Sequence, residues 1–95
     1  MSALIIFRIK VSDPSLLKEY QRKVPPLVEK HKGKFLVRSD QVTTLEGPEE
    51  NRRIVVIEFP ELEDAKGFYD SVEYKEAKKL RENISEFECI AVQGI

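Results

Sequence analysis

The segment Arg53–Pro60 (RIVVIEFP) constrains the fold more than any other part of the sequence. Its apolar residues occupy both parities of an extended chain, so a strand formed here is apolar on both of its faces. Such strands are covered on both sides in folded proteins. Glu58 interrupts one of the faces, and a buried carboxylate needs a partner, a ligand or a proton. The segment therefore predicts a central strand that is covered on both sides.

The rest of the chain predicts the element order β-α-β-β-α-α-β. Strands are indicated at 3–11, at 34–37 with an extended continuation at 42–46, at 52–59 and at 87–92. Helices are indicated from Asp13 to Gly33, at 61–70 and, after the cap residue Ser71, at 72–83. We expect a kink or break near Lys23–Val24, because Pro25 and Pro26 each remove a backbone donor.

This order is the split β-α-β plan of the ferredoxin-like fold, an α+β architecture with a four-stranded antiparallel sheet. One domain covers residues 1–95, and its first and third strands lie in the centre of the sheet. Helices on one side leave the other face of the sheet bare. That face would expose Leu4, Ile6, Ile54 and Val56, and an apolar patch of this kind usually marks an interface. We therefore predict a homodimer in which two sheets pack face to face.

Arg8 and Glu58 are expected to share the interface side of the sheet. They would form a cross-strand ion pair at its edge, or Glu58 would line a cavity as a base or ligand contact. Which face meets the helices stays open from sequence, because a shift of one residue exchanges the two faces.

Composition excludes several classes of function. The net charge is −1, which gives no reason to expect nucleic acid or an anionic membrane as a partner. No apolar run approaches the ~18 residues of a membrane span, and we expect a cytoplasmic protein. With one cysteine and one histidine, neither an intramolecular disulfide nor a cysteine-based or two-histidine metal site can form. No metal or cofactor is expected.

Three blocks of sequence resemble a known family. They are Tyr20 to Arg38 with the run HKGKFLVR, Leu45 to Pro60 with the Glu-Phe-Pro ending, and Ala65 to Arg81 with the pattern Tyr-x-Ser-x-x-Tyr. Together they are similar to the domain of unknown function 1330 family of the dimeric α/β-barrel superfamily. The resemblance implies a homodimer whose two sheets form a barrel, and it implies no settled activity. Superfamily relatives include cofactor-free monooxygenases, which place small organic ligands between sheet and helices.

Five residues are candidates for a ligand site, and each has a structural alternative. The candidates are Tyr20, His31, Arg38, Glu58 and Tyr69. His31 and Glu58 are the candidates for acid/base catalysis, whereas His31 would otherwise cap a helix end. The tyrosines would otherwise be core residues, and Arg38 would otherwise pair with Asp40 or Glu46. Tyr74 and Arg81, seven residues apart on one helical side, are expected to pack within the domain.

The leading hypothesis is a small-molecule binding protein. Each subunit would hold a small organic acid or aromatic compound between sheet and helices, with acid/base or oxygenase-type chemistry as its enzymatic form. The alternative is a structural or interaction dimer without catalysis. The sequence leaves binding and catalysis both open.

Overall fold

The computed structural model describes all residues 1–95 as four strands and three α-helices. The elements in chain order are β1 (Ala3–Val11), α1 (Lys18–Lys30) after a 3₁₀ turn (Pro14–Leu17), β2 (Lys34–Ser39), β3 (Arg53–Phe59), α2 (Leu62–Asp70), α3 (Val72–Lys79) and β4 (Ser85–Gln93). The predicted order of elements is confirmed. None of the three α-helices combines the length and the hydrophobicity that a membrane-spanning segment requires.

The four strands form one antiparallel sheet in the order β2-β3-β1-β4. The two apolar strands β1 and β3 are therefore central, as predicted. Ile5 of β1 lies opposite Ile57 of β3, and Phe7 lies opposite Cys89 of β4. An irregularity between Phe35 and Val37 shifts the register of β2. The sheet is not closed within one chain.

The helices cover one face of the sheet and enclose the core. Within β1 and β3 the buried side chains on this face are Ala3, Ile5, Phe7, Ile9, Val55, Ile57 and Phe59. Helix α1 contributes Tyr20, Val24 and Val28 at a spacing of four residues, which is one helical stripe. This packing determines which face of the sheet meets the helices, a point that the sequence left open.

The opposite face, which we call the open face, carries an apolar patch without a cover. Alternation and register place on it Leu4, Ile6, Val37, Ile54, Val56, Ile90 and Val92. Val37, Ile90 and Val92 expose 39%, 44% and 40% of their surface. The patch contains the four residues predicted from sequence and extends across both outer strands.

Of the kink or break predicted near Lys23–Val24, the break does not occur. Helix α1 is continuous from Lys18 to Lys30 and includes both Pro25 and Pro26. The two prolines leave the carbonyls of Gln21 and Arg22 without their usual donors. Both residues are exposed, so those carbonyls lie on the side of the helix that water reaches.

The predicted extension of β2 over Val42–Glu46 is also wrong, because residues 40–52 form a loop. The loop is held by a side chain rather than by a strand ladder, since the Glu50 amide donates to Thr44 Oγ1 at 2.7 Å. Gly47 has a φ of 89°, which glycine adopts readily. Thr44, one of the β-branched residues of this segment, therefore stabilises a loop rather than a strand.

Ser71 caps helix α3 as predicted. Its hydroxyl accepts a hydrogen bond from the Tyr74 amide at 3.1 Å and donates to the Phe68 carbonyl at 2.8 Å. One side chain therefore satisfies the start of α3 and the end of α2.

We expect Ser71→Ala to lower the free energy of unfolding by about 1 kcal/mol, the usual contribution of such a cap. Urea denaturation of both proteins measures the difference. Ser12→Ala, at an exposed position outside the helices, is the matched control and should change it by less than ~0.5 kcal/mol. Equal effects of the two substitutions would show that the cap contributes nothing.

Candidate ligand-binding site

A cavity of about 270 Å³ lies between helix α1 and the sheet. Nine of its thirteen lining residues are hydrophobic. The floor is formed by core residues of the central strands, including Phe7, Val55 and Ile57, and one wall by Val24 and Pro25 of α1. A cavity of ~150 Å³ lined by aliphatic and aromatic residues is large enough for benzene. This cavity therefore has room for a larger aromatic group.

Two arginines line the cavity from the sheet side. Arg38 of β2 lies opposite Val55 of β3, so Arg53, two residues earlier on β3, is its diagonal neighbour on the same face. The Arg38 guanidinium carbon is 4.3 Å from the centre of the Phe35 ring, a cation–π contact that holds it against the wall. No acidic residue lines the cavity.

Tyr20 connects the cavity to a buried polar cluster. Its hydroxyl oxygen is 2.6 Å from the Tyr74 hydroxyl oxygen, and Arg81 Nη2 donates to Tyr74 at 3.3 Å. Arg81 is only 7% exposed and has no carboxylate partner, and its Nε is buried without a hydrogen bond. The guanidinium carbon lies 3.7 Å from the centre of the Phe87 ring, which also lines the cavity.

Both tyrosines in this cluster are neutral at ordinary pH. Burial raises the pKa of Tyr20 and of Tyr74 above the usual value, and this effect outweighs the attraction of Arg81 for a tyrosinate. Each hydroxyl therefore keeps its proton and can donate a hydrogen bond. The cavity lining contains neither a carboxylate nor an imidazole, so its charged groups attract anions and its polar groups, apart from the Gln21 amide oxygen, serve mainly as hydrogen-bond donors.

His31 lies at the end of helix α1 and does not line this cavity. Its backbone amide donates to the carbonyls of Leu27 and Val28, both at 3.2 Å. Its ring packs edge-on against Phe68, with ring centres 6.2 Å apart. These contacts match the structural alternative, in which His31 closes the helix.

Glu58 lies on the open face, opposite Leu4 and Lys34, and is also absent from the cavity lining. The predicted ion pair with Arg8 does not form. The two residues share a face, but Arg8 lies opposite Ile54. Ile54 and Glu58 are four residues apart along β3, so the two side chains are separated by about 13 Å along the strand. The Arg8 Nε atom instead lies 3.6 Å from a carboxylate oxygen of Glu50, in the loop 40–52.

Tyr69 packs in the helical layer outside the cavity. Its hydroxyl accepts a hydrogen bond from Lys78 Nζ at 3.1 Å, and its ring lies 5.2 Å from that of Tyr74. The cavity therefore brings together only two of the five candidates, Tyr20 and Arg38. The predicted alternative for Arg38, an ion pair with Asp40 or Glu46, does not form either.

Sequence reasoning missed Arg53 and Gln21, which both line the cavity. Strand alternation could have found Arg53, because it has the same parity as Val55 and Ile57, on the helix-covered face. The sequence also predicted no more than a packing role for Tyr74 and Arg81. Their packing is confirmed by the hydrogen bond between them, but their connection to Tyr20 depends on contacts 54 residues apart in sequence.

The family described as Domain of unknown function (DUF1330) matches residues 2–95. No functionally curated protein matches the sequence. A protein of unknown function from Rhodopseudomonas palustris is similar in structure, with a TM-score of 0.76 and 18% identity over 99% of this chain and 82% of that one.

Two further solved structures share the fold. SnoaB, a cofactor-independent oxygenase from Streptomyces nogalater, has a TM-score of 0.71 and 9% identity over 99% of this chain and 93% of its own. A dimeric protein of unknown function with a ferredoxin-like fold, from Bacteroides fragilis, has a TM-score of 0.65 and 15% identity over 98% and 96% of the two chains. At these identities the likeness establishes the ferredoxin-like fold alone.

Proposed function

Since this chain belongs to the DUF1330 family, which has no assigned activity, we propose from its own geometry that it binds a small organic ligand in each subunit of a homodimer. The observation that carries the proposal is the cavity between α1 and the sheet, apolar in its body and bordered by Arg38 and Arg53. Ligand sites usually combine a concave apolar lining with a few polar groups that fix orientation. This cavity has both properties.

The homodimer is supported by the open face. Seven aliphatic side chains lie next to one another on neighbouring strands of this face, and no element of the same chain covers them. Single apolar residues scattered over a surface are common, but a contiguous patch of this kind usually marks an interface. The Bacteroides fragilis neighbour of the same fold is dimeric. Two sheets packed through these faces would form the barrel that the sequence resemblance implies.

An enzymatic form of the proposal is acid/base or oxygenase-type turnover of the bound ligand. It is supported at the level of fold by SnoaB, which is a cofactor-independent oxygenase. His31 and Glu58 lie outside the cavity, so side chains of the lining would act by stabilising negative charge rather than as bases.

Binding is tested with 2-naphthoate, a two-ring aromatic acid chosen for the volume of the cavity. We expect saturable binding with a dissociation constant on the order of 1 mM or tighter, and amide chemical-shift changes in the ¹⁵N spectrum centred on Val24, Phe35 and Val55. Val24→Phe, which places a ring in the space that the naphthalene would occupy, should strongly reduce the changes. Val72→Phe, on the exposed start of α3, is the matched control and should leave them intact.

The alternative function is a structural or interaction dimer without a ligand. Its specific support is that His31 and Tyr69 already have packing and hydrogen-bond partners within the chain. Shift changes that do not saturate, or that Val24→Phe leaves unchanged, would favour this alternative. Where naphthoate does bind, chemical analysis of the compound after incubation with the protein in air shows whether it is only bound or also converted.

A further inference from the structure

The positive charges that line the cavity have no partner in the protein. The ion pairs of the chain use Arg8, Arg22, Arg52, two lysines and the amino terminus, and they include neither Arg38 nor Arg53. Diagonal neighbours on one face of a sheet are close enough for long side chains to interact, and two like charges so placed repel each other. An anion between the two guanidinium groups would relieve that repulsion.

The contact between Arg38 and Phe35 leaves the guanidinium ready for such an anion. The Arg38 guanidinium lies over the Phe35 ring and donates no hydrogen bond to the protein, so the N–H groups along its edge stay available to a ligand. A planar carboxylate matches that edge with two parallel hydrogen bonds. The charge and the geometry therefore both favour a carboxylate over a neutral polar group.

The tyrosine cluster adds a donor of fixed direction. Arg81 can only donate, so the Tyr74 oxygen accepts from Arg81 Nη2. Tyr74 is fully buried, and its own proton finds an acceptor only if it is donated to the Tyr20 oxygen. A ligand oxygen in the cavity would supply an acceptor beside Tyr20, which lines it. With that acceptor present, the arrangement that pairs every proton has Tyr74 donating to Tyr20 and Tyr20 donating to the ligand.

We propose that the ligand is an aromatic carboxylate of one or two rings. Its carboxylate binds Arg38 and Arg53 and accepts a hydrogen bond from the Tyr20 hydroxyl. This assignment of ligand class rests on the proposed function, that the cavity binds a small organic molecule. The apolar part of the cavity holds the ring system. The lining contains no acidic residue, so no negative charge of the protein repels the carboxylate of the ligand. Tyr74 and Arg81 are positioning residues, because they act on the ligand only through Tyr20.

The decisive experiment compares 2-naphthoate with its neutral analogue 2-naphthamide by calorimetry and by ¹⁵N chemical shifts. We expect the acid to bind wild-type protein at least about tenfold more tightly than the amide, since hydrogen bonds to a charged group are the stronger ones. Arg38→Gln and Arg53→Gln should each weaken naphthoate binding about tenfold and leave naphthamide binding within about twofold. Arg22→Gln removes the same charge from an exposed position on α1 and should change neither affinity.

The outcomes separate the two proposals. If naphthoate and naphthamide bind equally well, or if Arg38→Gln behaves as Arg22→Gln does, the ligand class is wrong while the binding function stands. If neither compound binds wild-type protein, the proposed function itself fails. Arg38 is exposed, so its substitution tests the site without disturbing the core.

The positioning role has its own measurement. Tyr74→Phe should lower the ratio of naphthoate to naphthamide affinity by about threefold or more, because Tyr20 loses the donor that directs its proton. A general loosening of the core would weaken both compounds alike and leave that ratio unchanged, which would contradict the role. Tyr20→Phe keeps the ring and should lower the ratio to the same extent, so the result does not depend on one variant folding.

Discussion

Ile6→Glu is expected to convert the proposed homodimer into a monomer. Ile6 lies on β1 in the middle of the open face, opposite Val56 on one side and Ile90 on the other. In a two-fold symmetric interface the substitution enters twice, so two carboxylates would be buried among aliphatic side chains. An unpaired buried charge costs several kcal/mol. The dissociation constant of the dimer should therefore rise by roughly a thousandfold or more.

Sedimentation and light scattering at micromolar concentration measure the change. The wild-type protein should have twice the chain mass of 11.0 kDa, and Ile6→Glu should have the chain mass itself. Val72→Glu introduces the same side chain at an exposed position on the helical side and should remain a dimer. Circular dichroism checks that both variants are folded.

Two results would contradict the dimer proposal. A wild-type chain that is monomeric at these concentrations would leave the open face without its partner. A folded Ile6→Glu that remains dimeric would place the interface on another surface, such as the exposed edges of β2 or β4.

The architecture was predictable because it depends on local patterns. Both parities of Arg53–Phe59 are apolar, and this alone required a central strand with covers on two sides. Asp13, Pro14 and Ser71 marked the starts of helical segments through backbone rules that need no tertiary information. Local pattern failed over 42–46, where the extended pattern predicted a strand but no neighbouring strand is available to pair with it.

The site was less predictable because it depends on register. Parity placed Glu58 and Arg8 on one face, but only the pairing of Leu4 with Glu58 shows that they are too far apart to interact. Arg38 follows the register shift in β2, so its face could not be read by alternation from Lys34. The Tyr20–Tyr74 contact joins two helices whose relative rotation the sequence does not encode locally.

The buried tyrosine pair also predicts a steep loss of stability in alkali. Burial is the main cause that raises the pKa of Tyr20 and of Tyr74, whereas a tyrosine in the unfolded chain titrates near ~10. Above that pH the unfolded state releases two protons that the folded state keeps. Stability is therefore complete below about pH 10 and falls above it, by about 1.4 kcal/mol per pH unit for each proton that the folded state retains.

Cys89 adds an earlier and smaller component. Burial raises the pKa of its thiol to about 11. An unfolded cysteine begins to titrate near pH ~8.5, so this contribution declines between the unfolded and the folded value, before the tyrosine component reaches its full slope. Cys89→Ala should remove that early decline and leave the steep part of the curve in place.

Urea denaturation from pH 8 to pH 12 at one fixed protein concentration measures the whole curve, since the stability of a dimer also depends on concentration. Tyr20→Phe should reduce the slope above about pH 10 by about 1.4 kcal/mol per pH unit, because one retained proton is lost. An unchanged slope in this variant would mean that Tyr20 titrates normally in the folded protein. Its hydroxyl would then be open to water rather than held by Tyr74. The proposed hydrogen bond from Tyr20 to a ligand in the cavity would then lose its fixed direction.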